Sequence, residues 1–463
     1  MMGNIYKKIK SYSKKQNYPF HMPGHKRMAG TIFENTHPFE VDFTEIDGLD
    51  DLHDPQGMFR DSMDNMKKFY GTEETFFLVN GSTSGIMAAI TSVCDLGDEI
   101  IIGRNCHKSV YKAVELLGLH PIYLYPDVET ENGLVIGVSC EQLKKIVEEH
   151  PNAKAVVLVS PTYEGMVMNI EEVAMLIKGR NMMLIVDEAH GAHFSFADDF
   201  PESAISQGAD FVIQSLHKTM PALTQTALLH VCTKQVEIGK VQDSIDYFET
   251  TSPSYLLTSS IDDAFIFGIS NKELFHKYFM RLQKLRCELK ELKYLNLVDT
   301  DDPGKLVIST AKTSMTGKQL YDILLKEYHL QMEMAQDSYC LAMTSVCDTE
   351  EGYQRLIDAL FEIDRGIKEG KIKLFSNWMI KNQCVFTPYE AKRKEKMLVM
   401  LQESLHRVSG EYVYLYPPGI PLLVPGEKMN QACIEKICEY LKKGFTVKGI
   451  DHNGGTWIKI LKE

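Results

Sequence analysis

Between residues 76 and 231, short uninterrupted apolar runs alternate with segments in which apolar residues recur at helical spacing. Such runs are typical of strands buried on both faces, and helices between them favour a mostly parallel sheet. The predicted strands are residues 76–79, 100–102, 155–159, 184–186, 211–213 and 227–229. We therefore expect an α/β domain whose sheet is covered by helices on both sides.

The pattern changes twice beyond this region. Residues 261–292 form a long, charged helical pattern that we expect to lead into a small α+β domain, with strands at 305–309 and 339–343 and a helix beginning near Thr316. After about residue 377, a charged helical segment and a proline-rich turn at 416–421 predict a third α+β unit. The expected units are an N-terminal linker or interface segment (1–70), a large sheet domain (71–260), a connecting helix with the small domain (261–376) and a C-terminal domain (377–463).

Charge and composition exclude some classes of protein. The net charge of −13 argues against a nucleic-acid-binding protein, which would normally present a basic surface. Residues 1–15 are polar and rich in lysine, and no later apolar run has the length of a membrane span. The ten cysteines include no CxxC pair and no Cys/His cluster, which predicts free thiols and no metal site. We expect a cytoplasmic protein without nucleic-acid or membrane partners.

Lys218 and Asp187 carry the strongest chemical signal. Lys218 closes the segment Ser215-Leu216-His217-Lys218 near the end of a predicted buried strand, whereas most lysines are solvated. A desolvated lysine tends to lose its proton and becomes a nucleophile for aldehydes. Asp187 ends another apolar strand, where a buried carboxylate needs a defined partner such as a pyridinium nitrogen. The pair predicts pyridoxal phosphate and carbanion chemistry on an amino acid.

Other polar motifs follow the predicted strands in the same way. Ligands of open α/β sheets bind beyond the carboxyl ends of the strands, where residues 80–85, 105–108 and 161–163 would converge. The segment Gly81-Ser82-Thr83-Ser84-Gly85 opens a predicted helix, so its hydroxyls and free backbone donors could bind a phosphate. Taken alone, an ordinary helix cap explains it equally well.

Several single residues near these motifs could contact the cofactor. His107 could stack on a pyridine ring, although a lone histidine at a helix start is more often an ordinary polar residue. Ala189 is small enough to lie under a flat ring, and His190 could contact cofactor or substrate or be purely structural. Ser215 and His217, which flank the lysine segment, could donate to the phosphate.

A wider set of motifs resembles one enzyme family. The motifs are HMPGHK at 21–26, DGLDDLH at 47–53, the loop at 80–85, HKS at 107–109, DEAHG at 187–191, SLHK at 215–218, TTSPSY at 250–255, PPGIP at 417–421 and PGE at 425–427. In this order they resemble the ornithine/lysine/arginine decarboxylases, which are fold type I pyridoxal-phosphate enzymes. The resemblance is to the short form that lacks an N-terminal wing domain. It implies an aspartate-aminotransferase-like cofactor domain followed by a small and a C-terminal α+β domain.

The resemblance also implies roles for individual residues. Lys218 resembles the Schiff-base lysine, Asp187 the partner of the ring nitrogen and His107 the ring-stacking histidine. Glu427 resembles the acidic residue that meets the substrate's distal cation. The remaining implied cofactor contacts are Ser82, Thr83, Ser84, Ala189, Ser215 and His217. Family members form dimers or larger assemblies, which makes Thr251 and Ser252 candidates for reaching a neighbour's cofactor.

The expected reaction is α-decarboxylation of a basic amino acid to an amine and carbon dioxide, as in polyamine biosynthesis. We favour arginine, which would give agmatine, because DEAHG at 187–191 looks most like the short arginine decarboxylases. Lysine and ornithine, which would give cadaverine and putrescine, stay open. His107 and His190 are both candidates for the residue that protonates the α-carbon. The alternatives are an aminotransferase, which uses the same lysine and aspartate, and a cofactor-binding regulator without catalysis.

Overall fold

Seven strands form the central sheet of the large domain. The structure is a computed structural model and describes residues 4–27, 37–370, 380–415, 419–452 and 455–462. The first part of the chain contains α1 (Asn4–Ser13), β1 (Tyr18–Phe20), a 3₁₀ turn (Pro38–Glu40) and α2 (Met58–Tyr70). The large domain contains β2 (Glu74–Leu78), α3 (Ser82–Val93), β3 (Glu99–Gly103), α4 (Lys108–Leu117), β4 (His120–Leu124), β5 (Asp127–Val128), β6 (Val135–Gly137), α5 (Cys140–Glu149), β7 (Ala155–Val159), α6 (Ile170–Ile177), β8 (Met183–Asp187), a 3₁₀ turn (Phe194–Phe196), β9 (Phe211–Gln214), α7 (Leu216–Thr219), β10 (Ala227–Val231) and α8 (Ile238–Asp246).

The central sheet has the strand order β2-β10-β9-β8-β7-β3-β4 and confirms the predicted fold class. Strands β4, β3, β7, β8 and β9 are parallel to one another, and β10 runs antiparallel to its neighbours β9 and β2. The six predicted strands are β2, β3, β7, β8, β9 and β10. Strand β4 was not predicted, because this edge strand begins with the exposed His120, includes Pro121 and is less buried than the others. A proline is tolerated there because an edge strand need not donate on its outer side.

The alternation of side chains explains why the strands are apolar throughout. Ile100 and Ile102 of β3 point into the core beneath α3 and α4, whereas Ile101 points into the core beneath α5 and α6. The same alternation separates Val156 from Val157 in β7. Both faces of the sheet are therefore buried, which explains the mostly apolar composition of the central strands.

The next part of the chain consists of two long helices and the small domain. Its elements are α9 (Tyr255–Ser270), α10 (Lys272–Leu289), β11 (Asn296–Val298), β12 (Lys305–Ser309), α11 (Gly317–Lys326), β13 (Leu330–Met332), β14 (Met334–Ala335), β15 (Tyr339–Met343) and α12 (Glu350–Gly366). The predicted strands at 305–309 and 339–343 are β12 and β15, which pair antiparallel in the sheet β11-β12-β15-β14. Thr316 caps α11 through a reciprocal capping box with Gln319, which fixes the helix start near the predicted residue.

The C-terminal part is built from short strands that pack with one amphipathic helix, α14. Its elements are β16 (Gln383–Cys384), α13 (Pro388–Arg393), β17 (Lys396–Met400), a 3₁₀ turn (Leu401–Glu403), β18 (Val413–Leu415), β19 (Pro421–Leu423), β20 (Glu427–Lys428), α14 (Gln431–Lys442), β21 (Val447–Lys448), β22 (Ile450–Asp451) and β23 (Trp457–Leu461). They share a core of their own around α14. Residues 416–418 of the predicted proline-rich turn lie outside the described residues. Among the helices that the structure describes, none has the length and apolar character needed to span a bilayer.

The HMPGHK motif belongs to a segment, residues 18–27, that we call the N-terminal strap. Its strand β1 pairs in parallel with β13 of the small domain. The buried Lys26 donates through Nζ to the carbonyls of Pro19, His21 and Met343 at 2.7–3.1 Å. The Gly24 N–H donates to the His217 carbonyl at 2.8 Å. The strap therefore ties the small domain to the turn that carries Lys218.

We predict that Gly24→Ala will destabilise the protein and disturb the Lys218 turn. A Cβ on Gly24 would lie 2.6 Å from the Met220 carbonyl oxygen and 2.8 Å from the Thr219 carbonyl carbon, so backbone must move. Overpacking of this kind costs about 1–3 kcal/mol in the free energy of unfolding. Denaturant titration measures it, with Gly366→Ala as the control, because a Cβ on Gly366 meets nothing within 4 Å. Equal stabilities for the two variants would show that the backbone at Thr219 and Met220 accommodates the added Cβ without a loss of stability.

Candidate active site

A cavity of about 450 Å³ lies at the carboxyl ends of the parallel strands. Nine of the predicted site residues line it, which are Ser82, Thr83, His107, Asp187, Ala189, His190, Ser215, His217 and Lys218. The strap adds Met22, the small domain adds Glu333 and the C-terminal domain adds Ile420. One cavity thus brings together side chains from every part of the fold.

Lys218 lies in α7, immediately after strand β9. Its Nζ is 3.0 Å from Nε2 of His190. Burial lowers the pKa of Lys218, and the negative charges of Asp187 and Glu333 oppose that shift without cancelling it. A larger fraction of Lys218 is therefore the neutral amine, the form that reacts with carbonyl groups, than for an exposed lysine.

Asp187 is the last residue of β8 and is buried. Its Oδ1 accepts a hydrogen bond from the Ala189 N–H at 3.1 Å. Burial raises the pKa of Asp187, and the charge of Lys218 lowers it. A buried carboxylate in this position has lone pairs available for a cationic or N–H group of a ligand.

His190 and His107 are both held as neutral imidazoles. Burial, followed by the charge of Lys218, holds the pKa of His190 well below its usual range, and the ring packs against Tyr163 with 4.5 Å between centroids. Burial and Lys218 also lower the pKa of His107 to about 3. Nδ1 of His107 accepts from the Ser109 N–H and caps α4, which assigns the ring proton to Nε2.

The hydroxyl groups of the site lie at the N-terminus of α3. Gly81 precedes the helix with φ of +80°, a left-handed conformation that favours glycine. The Ser215 hydroxyl donates to the Ser82 hydroxyl at 2.8 Å, and Thr83 is exposed beside them. His217 contacts the Thr226 carbonyl through Nδ1 at 3.1 Å, and burial lowers its pKa to about 4. Free helix N–H groups with hydroxyls suit an anion such as a phosphate.

The structure places Ser84 away from the cavity that the described residues line. Its hydroxyl contacts the Gly81 carbonyl and the carboxylate of Glu249, which also accepts from the backbone N–H groups of Val79 and Asn80. Ser84 therefore holds the loop before α3 in shape. Glu249, which fixes this loop from a distant part of the chain, was not among the predicted site residues.

Glu427 is also placed away from this cavity. It is buried and faces Arg104, with Oε2 3.3 Å from Nη2. The same oxygen accepts from the Val424 N–H at 2.9 Å, and Asn382 donates to it at 3.3 Å. Arg104 therefore compensates the charge of this carboxylate, and the predicted contact of Glu427 with the substrate's distal cation stays a prediction.

Thr251 and Ser252 lie at the surface rather than in the cavity. Ser252 donates to Oε1 of Glu45 at 3.0 Å. Their contact with a neighbour's cofactor stays a prediction.

Comparisons with known proteins agree with this geometry. The family model described as "Orn/Lys/Arg decarboxylase, major domain" matches residues 4–347, and the model of the C-terminal domain matches residues 373–448. An arginine decarboxylase of Bacillus subtilis is 30% identical, over 99% of this chain and 98% of that relative. The constitutive lysine decarboxylase of Escherichia coli has a similar fold, with a TM-score of 0.80 at 19% identity, over 100% of this chain and 82% of that chain. The chain belongs to the Orn/Lys/Arg decarboxylase family.

The Orn/Lys/Arg decarboxylases depend on pyridoxal phosphate, and the side chains in this cavity fit that cofactor. Lys218 suits the aldehyde, Asp187 the ring nitrogen, and the hydroxyls at the start of α3 the phosphate. Nδ1 of His190 is buried and has no hydrogen-bond partner among the described residues. A buried polar atom of this kind calls for a ligand group.

Two cavity residues of this decarboxylase had no predicted role. Tyr163 lies beside His190 and hydrogen-bonds through its hydroxyl to Glu333, which follows strand β13. The segment 161–163 gave a positional signal because it follows β7. Glu333 had no signal in the sequence, because its position depends on how the small domain packs on the large domain.

We predict that His107→Asn will make the free energy of unfolding of the cofactor-free enzyme depend less on pH in the acid range. His107 has a pKa of about 3 in the folded protein, whereas a histidine in the unfolded chain has a pKa of about 6.5. Between these values the unfolded chain binds the proton more readily. The stability that neutral His107 contributes is therefore complete above about pH 6.5 and is lost as the pH falls towards 3. Between pH 4 and 6, the slope of the free energy of unfolding should decrease by up to about 1.4 kcal/mol per pH unit. Asparagine keeps a cap for α4.

Denaturant titrations across this pH range measure the slope. The exposed His452 provides the matched control, and the change in slope for His107→Asn is compared with that for His452→Asn. A His107→Asn slope equal to that of the unsubstituted protein would mean that His107 ionises normally in the folded state.

We also predict that Glu427→Gln will act mainly on stability. Leaving Arg104 buried without its carboxylate should cost about 3–5 kcal/mol in the free energy of unfolding. The double variant Arg104→Met/Glu427→Gln should recover part of that loss. Chemical denaturation of Glu427→Gln, Arg104→Met and the double variant measures the coupling, and additive losses would argue against the ion pair.

Proposed function

We propose that this member of the family removes the α-carboxylate of arginine and forms agmatine and carbon dioxide. The observation that carries the proposal is that Lys218 and Asp187 line one cavity together with His107 and His190. Arginine is supported by the relatives of similar length named arginine decarboxylase, in Bacillus subtilis and Bacillus anthracis, each 30% identical over 99% of this chain. Lysine and ornithine are the alternative substrates.

The cofactor would be held by several parts of the cavity. The amino group of Lys218 would bind the aldehyde carbon, Asp187 would keep a proton on the ring nitrogen, and Ser82, Thr83 and Ser215 would bind the phosphate. When bound, pyridoxal phosphate supplies an electron sink for the pair of electrons left when carbon dioxide departs. Asp187 suits its part because a buried carboxylate is stabilised by a nearby positive charge.

Proton movement in the site would centre on Lys218 and His190. The two nitrogens are 3.0 Å apart, within hydrogen-bond reach, so Nε2 of His190 can exchange a proton with Nζ of Lys218. His107 is neutral and bonded to Ser109 through Nδ1. Its flat, uncharged ring is suited to pack on another flat ring. Of the two histidines, His190 is the better candidate for relaying the proton to the α-carbon, because it contacts Lys218 directly.

Several segments restrict water around these groups. Met22 of the strap, Val135 and Ile420 of the C-terminal domain are apolar residues of the cavity lining. Excluding water strengthens the interaction between Lys218 and Asp187.

We also propose that the protein acts as a homodimer or a larger assembly. Phe39, Phe43 and Ile46 expose apolar side chains on the segment before α2. Glu45 of this segment binds Ser252, one of the residues predicted to reach a neighbour's cofactor. A second copy of the chain would cover this apolar surface.

We predict that the purified protein loaded with pyridoxal phosphate will turn over arginine faster than lysine or ornithine. Each amino acid is supplied separately, and the amine and the carbon dioxide are identified and quantified. Lys218→Ala is the control, and its turnover should fall to background because no other side chain of the described cavity offers a neutral primary amine near Asp187.

Three other results would contradict the proposal. A keto acid in place of the amine would indicate an aminotransferase. Retained cofactor without turnover of any of the three amino acids would indicate a binding protein. Amine formation by Lys218→Ala would remove the lysine from the mechanism.

A further inference from the structure

Three carboxylates line the cavity within the part of the chain that the structure describes, namely Asp187, Glu164 and Glu333. Asp187 lies at the end of β8, where it interacts with Lys218. Glu164 is buried, and its Oε1 accepts from the Tyr339 hydroxyl at 2.6 Å. Glu333 is only partly buried. It is therefore the carboxylate best placed to meet a second positive charge in the cavity.

The position of Glu333 is fixed from two sides. Its Oε2 accepts from the backbone N–H of Met22, in the strap, at 3.0 Å. Its Oε1 accepts from the hydroxyl of Tyr163, whose ring packs on His190. Two ionised oxygens offer about four acceptor positions, so these contacts orient the carboxylate and leave capacity for a further donor.

The charge of Glu333 also acts within the site. It is near enough to Lys218 to oppose the lowering of the lysine pKa by burial. Its contacts come from an N–H group and a hydroxyl, and no ion pair compensates it among the described residues. Glu427 differs in this respect, because Arg104 compensates its charge behind the cavity wall.

We propose that Glu333 binds the distal cation of the substrate and makes this site select basic over neutral amino acids. This role rests on the proposed function, because only a substrate with a side-chain ammonium or guanidinium group presents such a cation. Lys218 and Asp187 line the same cavity and mark where the α-carbon would react. A charge-assisted hydrogen bond would join the Glu333 carboxylate to the distal ammonium or guanidinium group of the same substrate.

Glu333→Gln tests this assignment, because glutamine keeps the shape of the side chain and an acceptor for Met22. The measurement is calorimetric binding to the cofactor-loaded protein of agmatine, which has a distal cation, and of pentan-1-amine, which has none. We expect agmatine to bind roughly 10- to 100-fold more weakly to the variant. Pentan-1-amine should bind within about threefold of its affinity for the unsubstituted protein.

Glu164→Gln is the matched control, since it neutralises another cavity carboxylate that is already bonded to Tyr339. The preference of this variant for agmatine over pentan-1-amine should stay that of the unsubstituted protein. Equal weakening of both amines by Glu333→Gln would overturn the proposal and assign Glu333 to holding Met22 and Tyr163 in place. No weakening of either amine, or loss of the cofactor absorbance, would overturn it as well.

These results are separable from failure of the proposed function. If the unsubstituted protein forms no amine from arginine, lysine or ornithine, the proposed function fails. If it forms the amine and Glu333→Gln keeps its preference for agmatine, only the role of Glu333 fails.

Discussion

The structure depends on keeping the amino group of Lys218 buried at the end of β9. Burial disfavours the ammonium form, and the carboxylates of Asp187 and Glu333 limit that effect. His190 gives the amine a neutral partner 3.0 Å away. These partners come from the large sheet and from the small domain, and the strap holds the turn of Lys218 through His217. The balance between desolvation and nearby negative charge therefore requires the domains to pack in one arrangement.

Much of the site could be predicted because parallel strands place their carboxyl ends at one edge of a sheet. Asp187, His107 and Lys218 each follow a strand that its apolar pattern reveals, so their meeting depends on topology alone. The edge strand β4 escaped detection because its outer position does not demand an uninterrupted apolar run. Local rules thus predicted the centre of the sheet better than its border.

The rest of the site depends on pairings between distant segments, which a single sequence does not reveal. The resemblance gave Glu427 a role in substrate binding, but its position is determined by Arg104, which follows β3 and has no motif of its own. Ser84 has the spacing of a phosphate ligand, yet Glu249 takes its hydroxyl. The position of Glu333 in the cavity follows from the pairing of β13 with the strap, which the sequence does not reveal. In each case a partner from a distant segment of the chain decided the outcome.

The strap gives the first residues of the chain a thermodynamic link to the reaction centre. Met22 lines the cavity, Gly24 bonds to the residue before Lys218, and Lys26 reaches the Met343 carbonyl. A ligand that orders the cavity must then stabilise attachment of the strap, and attachment must raise affinity for that ligand by the same factor. Binding of a ligand in the cavity and ordering of the strap are thus thermodynamically coupled.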